Sequence, residues 1–475
     1  MAEPIAESLL LGSGSSEAVV EATSGMRVTY DELRVRTADL ARTLLVQNAD
    51  RQLAFLYASN TLDSILLYLA SLEAAIPLVL VEPREANLLN LLKVYSPALV
   101  FVPSPMVVPD AYERTGTPLE LLNYCCIRKK NGGISRGKCH EKLALLLQTS
   151  GSTGSPKLVR LTRRNLLSNA SSIARYLELG PAERSIQGLP MHYSYGLSLI
   201  NSHLIAGGTI VLTPHSFMMG EFWGDFAANR CSSFAGVPFM YETLHRIGFH
   251  PSKYPTLRTM TQAGGGLRKD LISHFCDTAR KADIKFFVMY GQTEATARIS
   301  YVPFLRLPEK IGSIGIAIPD GEMTLEPIEG LENAQELIYR GPNVMMGYAE
   351  GPDALAEGDL LEGELRTGDL VSVDSEGYFF LTGRLGRFAK LFGNRINLAD
   401  VENYVERTHN VETAALEGTN ALILWIVPGS MTQPDVIKRN VASFLGVIPS
   451  SIEIRLTDAL PRTQAGKKDY RALGK

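Results

Sequence analysis

Short apolar runs recur between stretches with helical spacing, and this alternation limits the possible folds more than any other feature. Leu78 to Val81, Leu143 to Leu147, Thr209 to Thr213, Phe234 to Val237 and Phe286 to Met289 are such runs. Each is too short for a core helix and reads as a strand covered on both faces, the hallmark of parallel sheet. Asp63 to Ala75 has helical character, and Leu166, Leu167, Ala170, Ile173, Ala174 and Leu177 repeat at helical spacing. The expected fold class is α/β, with helices layered on largely parallel sheet. At 475 residues the chain exceeds one ordinary core, and length alone suggests about three compact units.

The texture changes after Glu336. Turn residues punctuate short strands, as in Gly363-Glu364-Leu365-Arg366-Thr367-Gly368-Asp369 and Glu376-Gly377-Tyr378-Phe379-Phe380. The basic stretch Gly383 to Lys390 then leads into a last segment of roughly ninety residues, an ordinary domain size. The boundary is placed there, giving a large N-terminal domain, 1–385, and a small C-terminal one, 386–475.

Charge and hydropathy narrow the function classes. A net charge of −3 gives no pull toward nucleic acid or an anionic membrane. The start, MAEPIAESLLLG, carries Glu3 and Glu7 and no basic stretch, so it does not read as a secretion signal. The longest apolar stretch, Ser64 to Val81, is interrupted by Glu73 and Pro77 and reads as helix, turn and strand, a poor membrane span. A cytoplasmic protein is expected. Cys125, Cys126, Cys139 and His140 have the spacing of none of the usual zinc knuckles, and reduced thiols account for them better.

The most informative stretch for chemistry is Gln148-Thr149-Ser150-Gly151-Ser152-Thr153-Gly154-Ser155-Pro156-Lys157. It leaves the carboxyl end of a buried strand, where ligands bind in open α/β sheets. Glycines let backbone N–H groups approach phosphate oxygens, the flanking hydroxyls add donors, and Lys157 adds positive charge. It is not a Walker A loop, because Leu158-Val159-Arg160-Leu161 reads as a strand where that motif opens a helix. A flexible Ser/Gly linker is the competing reading.

The loop resembles the signature phosphate loop of the superfamily of AMP-forming acyl-CoA synthetases, firefly luciferase and nonribosomal adenylation domains. Further segments match it in the same order, from Leu62 to Lys467. The resemblance implies a large multi-layer adenylate-forming domain with a small, mobile α+β lid. It implies activation of a carboxylic acid by ATP and Mg²⁺ to acyl-AMP, with pyrophosphate released. Transfer to a thiol follows, either coenzyme A or the phosphopantetheine of a separate acyl carrier protein. The partners are then a small-molecule acid and that carrier, with no nucleic acid and no membrane span. A standalone amino-acid adenylating ligase and a catalytically silent nucleotide-binding relative are the alternatives.

Site residues are carried over on matching motifs. Thr149, Ser150, Gly151, Ser152, Thr153, Gly154 and Lys157 would hold phosphate. In Tyr290-Gly291-Gln292-Thr293-Glu294 the resemblance puts Tyr290 on adenine, Thr293 on the α-phosphate and Glu294 on Mg²⁺. Asp369 would accept from the ribose hydroxyls and Arg384 would reach the nucleotide. Lys467, preferred to Lys468 by its place after glycine, would be the catalytic lysine of the lid. Gly386 takes the hinge position, usually Asp or Lys, and Gly393 lies on the loop beside the thiol channel.

The implied acid pocket comprises Met191 to Gly196, with His192 and Tyr193; Gly236, Val237 and Pro238; Ala263 with Gly264, Gly265 and Gly266; and the residues after Glu294. The usual aromatic-His order is reversed in His192-Tyr193, so a gating histidine and a hydrogen-bonded core histidine weigh equally. No Asp or Glu occurs between Ser185 and Phe217, where amino-acid-activating relatives place one. This favours an acid without an α-amino group. Arg298 is read as a surface arginine in preference to a contact with a polar or anionic tail of the acid.

Overall fold

A computed structural model describes residues 9–104, 106, 109–115, 123–130, 138–149, 157–328, 334–385, 388–391, 394–418, 421–429, 433–463 and 468–474. The described chain is α/β, and the apolar runs are its central strands. One sheet carries six parallel strands in the order Glu17–Glu21, Thr209–Leu212, Arg184–Gln187, Ser233–Gly236, Thr259–Gln262, Lys285–Tyr290. Each of the inner strands Thr209–Leu212, Ser233–Gly236 and Thr259–Gln262 is buried along its whole length, which is why the first two lack the alternation of a half-exposed strand; Thr259–Gln262 is buried although it is largely polar.

A second sheet has the parallel strands Leu143–Gln148, Leu78–Val81, Ala54–Tyr57 and Leu99–Pro103 at its centre. Leu158–Thr162 pairs antiparallel with Leu143–Gln148, Gln148 opposite Leu158. The segment after Lys157 is therefore a returning strand, not the helix that a Walker A loop would open. Cys125 and Cys126 are successive residues of the strand Tyr124–Lys129 and so point to opposite faces of this sheet.

Helices cover both sheets. Leu62–Glu73 is buried from Leu62 through Leu72, and the Thr61 hydroxyl accepts from the Ser64 N–H to cap it. Arg163–Tyr176 starts on a capping box, Thr162 with Asn165, and buries Leu166, Asn169, Ala170, Ile173 and Tyr176. Leu56, Ile65, Leu145, Leu161, Leu166, Leu197 and Ile210 belong to one continuous apolar core. No helix among the described residues is long and apolar enough to cross a membrane.

The chain divides into two compact units. One comprises Met1–Ile311, Ala317–Glu322 and Arg340–Leu365; the other comprises Gly312–Ile316, Met323–Tyr339 and Arg366–Lys475. The second unit includes a three-stranded mixed sheet, Glu412–Glu417, Leu422–Val427 and Ile452–Leu456, with the helices Leu398–His409 and Pro434–Leu445. Val401, Val405, Leu424, Ile437 and Val441 form its own core. This small α+β body lies wholly within 386–475.

Candidate active site

Strand order decides where a ligand can sit. From Arg184–Gln187 the chain crosses first to Thr209–Leu212 on one side and then to Ser233–Gly236 on the other. The order therefore reverses around Arg184–Gln187, and open α/β sheets bind ligands outside the carboxyl ends at such a reversal. The four pieces of the expected pocket leave the carboxyl ends there: Met191 to Gly196 follows Arg184–Gln187, and Gly236 to Pro238 ends Ser233–Gly236. Ala263 to Gly266 follows Thr259–Gln262, and the residues after Glu294 follow Lys285–Tyr290 and its nucleotide motif.

The pieces touch. A Cβ on Gly264, whose φ is +87°, would lie 2.6 Å from Tyr193 Oη and 3.1 Å from Val237 Cγ1. Only glycine fits between them. A Cβ on Gly236 would meet the Tyr241 ring at 3.0 Å, and one on Gly265 would meet Pro238 at 3.2 Å, whereas Gly266 faces open space. Tyr195 Oη reaches Thr261 Oγ1 at 2.9 Å, and Gln262 Nε2 donates to the Gly265 carbonyl at 2.9 Å. His192 and Tyr193 are half-buried. Burial pushes the Tyr193 phenol up to about 12, against a smaller pull from Arg298, so it is neutral and able to donate.

The nucleotide motif is joined to this wall. Ser194 Oγ and Thr293 Oγ1 lie 3.3 Å apart. Gly291 is obligatory, because a Cβ there would fall 1.9 Å from the Ala297 carbonyl oxygen. Beyond Glu294 the backbone is strained: Thr296 has φ 61° and Ala297 φ 140°, a cost of about 1–3 kcal/mol each. Asn343 holds this turn. Its Nδ2 donates to the carbonyls of Ala295 at 2.8 Å and Arg298 at 2.9 Å, and Thr296 Oγ1 donates to the Asn343 carbonyl at 2.6 Å.

Glu294 is half-buried, and its Oε1 accepts from Tyr348 Oη at 2.8 Å. Lys157 Nζ stands 3.6 Å from the centre of the Tyr348 ring and 3.5 Å from Glu350 Oε1. The lysine that ends the glycine-rich loop and the expected Mg²⁺ ligand thus share Tyr348. Thr149, also half-buried, follows Gln148, which exchanges amide hydrogen bonds with Asn87. Among the described residues only Oε1 of Glu294 is engaged. One carboxylate with a free oxygen, near a lysine, suits Mg²⁺, which binds through one or two carboxylates plus phosphate oxygens.

In the second unit, Asp369 and Arg384 are cross-strand partners on Glu364–Val373 and Phe379–Arg384. Arg384 Nε lies 3.1 Å from Asp369 Oδ1; the aspartate is buried and the arginine exposed. Lys468 Nζ donates to Glu406 Oε1 at 2.7 Å and to the Thr413 carbonyl at 2.6 Å, with Glu402 at 3.6 Å. Ser150, Gly151, Ser152, Thr153, Gly154, Gly386, Gly393 and Lys467 lie outside the described residues.

Two findings depart from the sequence reading. Arg298 is no surface arginine: it is 2% exposed, its guanidinium 4.0 Å from the centre of the Tyr195 ring. The turn that Asn343 fastens folds it inward beside the acid-pocket pieces. Asn343 and Tyr348 were not anticipated, since each is an unremarkable residue some fifty positions past the motif it supports, and no local pattern marks either.

A family model described as AMP-binding enzyme matches residues 12–349. The chain belongs to the AMP-binding enzyme family. It is 32% identical over 352 residues to the feruloyl-CoA synthase of an Amycolatopsis species, covering 69% of this chain and 68% of that protein. It is 29% identical over 341 residues to the sulfoacetate–CoA ligase of Cupriavidus necator, covering 68% and 65%. The O-succinylbenzoate coenzyme A synthetase of Bacillus subtilis, solved with AMP, shares the fold at a TM-score of 0.77 and 20% identity, over 98% of this chain and 96% of that one. The chain is an enzyme, an AMP-forming acid–thiol ligase of the acyl-CoA synthetase kind.

Proposed function

We propose that this ligase turns a carboxylic acid without a free α-ammonium group into its acyl-adenylate, and then into a coenzyme A thioester. The observation that carries the reading is the meeting of the acid-pocket pieces with Thr293 and Glu294 at the carboxyl ends of neighbouring parallel strands. In the first step an acid oxygen attacks the α-phosphorus of ATP, the bond to the bridging oxygen breaks and pyrophosphate leaves. In the second, a thiol sulfur attacks the acyl carbon, its proton passes to solvent and AMP leaves.

Two anions must meet in the first step, so the protein's task is charge neutralisation and alignment. Thr293 is assigned to the α-phosphate, Tyr290 to the adenine face, and Lys157 with the glycine-rich loop to the outer phosphates. Glu294 would hold Mg²⁺, which when bound supplies charge to the phosphate oxygens. Asp369 would exchange its ion pair with Arg384 for the ribose hydroxyls, leaving Arg384 for the nucleotide. Lys468 is spoken for by Glu402 and Glu406, which supports Lys467 as the lysine that meets the developing charge. Gly386 is assigned to the hinge of the lid 386–475, and Gly393 to the thiol channel.

Coenzyme A is preferred to a carrier protein's phosphopantetheine because the similar curated proteins are CoA ligases; a cytoplasmic location fits that supply. Those relatives' names run from ferulate to sulfoacetate and do not choose the acid. ATP–pyrophosphate exchange across an acid panel, with mass spectrometry of acyl-AMP and acyl-CoA, tests the reading. Exchange with unsubstituted acids and an acyl-CoA product is expected. Exchange with no acid would make the protein a silent nucleotide binder, and a tenfold preference for α-amino acids would make it an amino-acid ligase.

A further inference from the structure

Two arginines are fully buried among the described residues, and the contrast between them is informative. Arg160 spends its donors on the protein: one Nη reaches the Glu357 carbonyl at 2.6 Å, and the other reaches those of Met346 and Gly358 at 3.2 Å. The Glu357 carboxylate stands 3.7 Å away. Arg298 is treated differently. One Nη makes a 3.4 Å contact to the carbonyl of its own neighbour Ala297 and the guanidinium bonds the Tyr176 phenol, while Nε, like that of Arg160, meets no partner. Among the described residues no carboxylate pairs with it.

Its surroundings are aromatic and neutral. The guanidinium stacks on Tyr195 and lies near the phenols of Tyr176 and Tyr193. Burial raises all three phenols despite the arginine's pull, so none of them supplies negative charge. A buried cation without a counter-charge is costly. The chain nonetheless accepts two strained residues, Thr296 and Ala297, and commits Asn343 to hold Arg298 there. Tyr193 and Tyr195 are themselves part of the acid-pocket wall, against Gly264 and Thr261.

We propose that Arg298 binds a second carboxylate on the acid, so that the preferred substrates are dicarboxylic acids. This rests on the ligase reading above. A guanidinium offers a planar fork of donors that matches a carboxylate in two parallel hydrogen bonds, and Arg298 has donors unspent. Of the acid's two carboxylates, one goes to the α-phosphate beside Thr293 and the other to Arg298.

The test compares kcat/KM in ATP–pyrophosphate exchange for butanoate with succinate, hexanoate with adipate, and octanoate with suberate. The wild-type enzyme is expected to favour the diacid of at least one pair by roughly tenfold or more. Arg298→Met should abolish or invert that ratio, and Arg298→Lys should retain part of it. Should Arg298→Met fail to fold, the wild-type ratio and Arg298→Lys decide. Exchange with monoacids alone, or a ratio unchanged in the variants, overturns the proposal and leaves the ligase reading standing. An equal loss for mono- and diacids in Arg298→Lys also overturns it, since Arg298 would then serve the reacting carboxylate. Exchange with no acid at all overturns both.

Discussion

Asn343→Ala tests whether the strained turn after Glu294 is held in place by one side chain. The substitution removes two hydrogen bonds, to the Ala295 and Arg298 carbonyls. Arg298 O keeps a 3.3 Å bond from Asn169 Nδ2, so the larger loss falls on Ala295. Leaving buried carbonyls short of a donor costs about 1–3 kcal/mol each, which puts the total near 2–4 kcal/mol. Thr296 and Ala297 store a comparable strain, so the freed turn has reason to relax. If it relaxes, Glu294 and Arg298 move, and a misplacement of ~1 Å can cost about a hundredfold in rate. Urea unfolding and pyrophosphate exchange at saturating ATP should therefore report a lower midpoint, a slower rate, or both. An unchanged midpoint with a rate within about twofold of wild type would refute the reasoning.

Lys467→Ala should lose adenylation by roughly 3 kcal/mol, about a hundredfold or more, while thiol transfer from supplied acyl-AMP survives; equal loss in both steps would end that assignment. Lys468→Ala should spare the chemistry and destabilise the second unit, because Glu402 and Glu406 lose their cation. Burial lowers the Lys468 pKa and the two glutamates more than restore it, leaving it above 10.5. Its stabilisation is thus complete below that value and fades as pH rises through the higher folded value; a constant gap between wild type and Lys468→Ala into strong alkali would contradict this. Gly386→Pro fixes φ at the proposed hinge and should alter adenylation and thioester formation unequally, so a variant with both rates unchanged would move the hinge elsewhere.

The central strands were legible because a wholly apolar run of four to six residues has few other homes, and Leu78–Val81 is one of them. The carboxyl-end placement of Tyr290 to Glu294 followed from the strand before it. The turn at Thr296 and Ala297 was illegible for a definite reason: neither residue favours positive φ, so the conformation is imposed from Asn343. Arg298 was misread by the same logic that usually works. Arginines are seldom fully buried unless paired, and Glu294, the acidic residue nearest in sequence, turns to Tyr348 instead. A residue reserved for a ligand breaks a rule derived from protein–protein pairing.

The electrostatics of the acid wall oppose an α-ammonium in two ways. The stretch from Ser185 to Phe217 has no acidic side chain, so a cation entering beside Tyr193 would lose its hydration and find only neutral acceptors. It would also face Arg298, the buried positive charge 4.0 Å above the Tyr195 ring. At a separation of ~6 Å and an effective dielectric of ~20, that repulsion alone is about 3 kcal/mol. The same field attracts an anion by a similar amount. The missing aspartate and the inward arginine therefore act in one direction, and a carboxylate tail is the group that turns both features from a cost into binding energy.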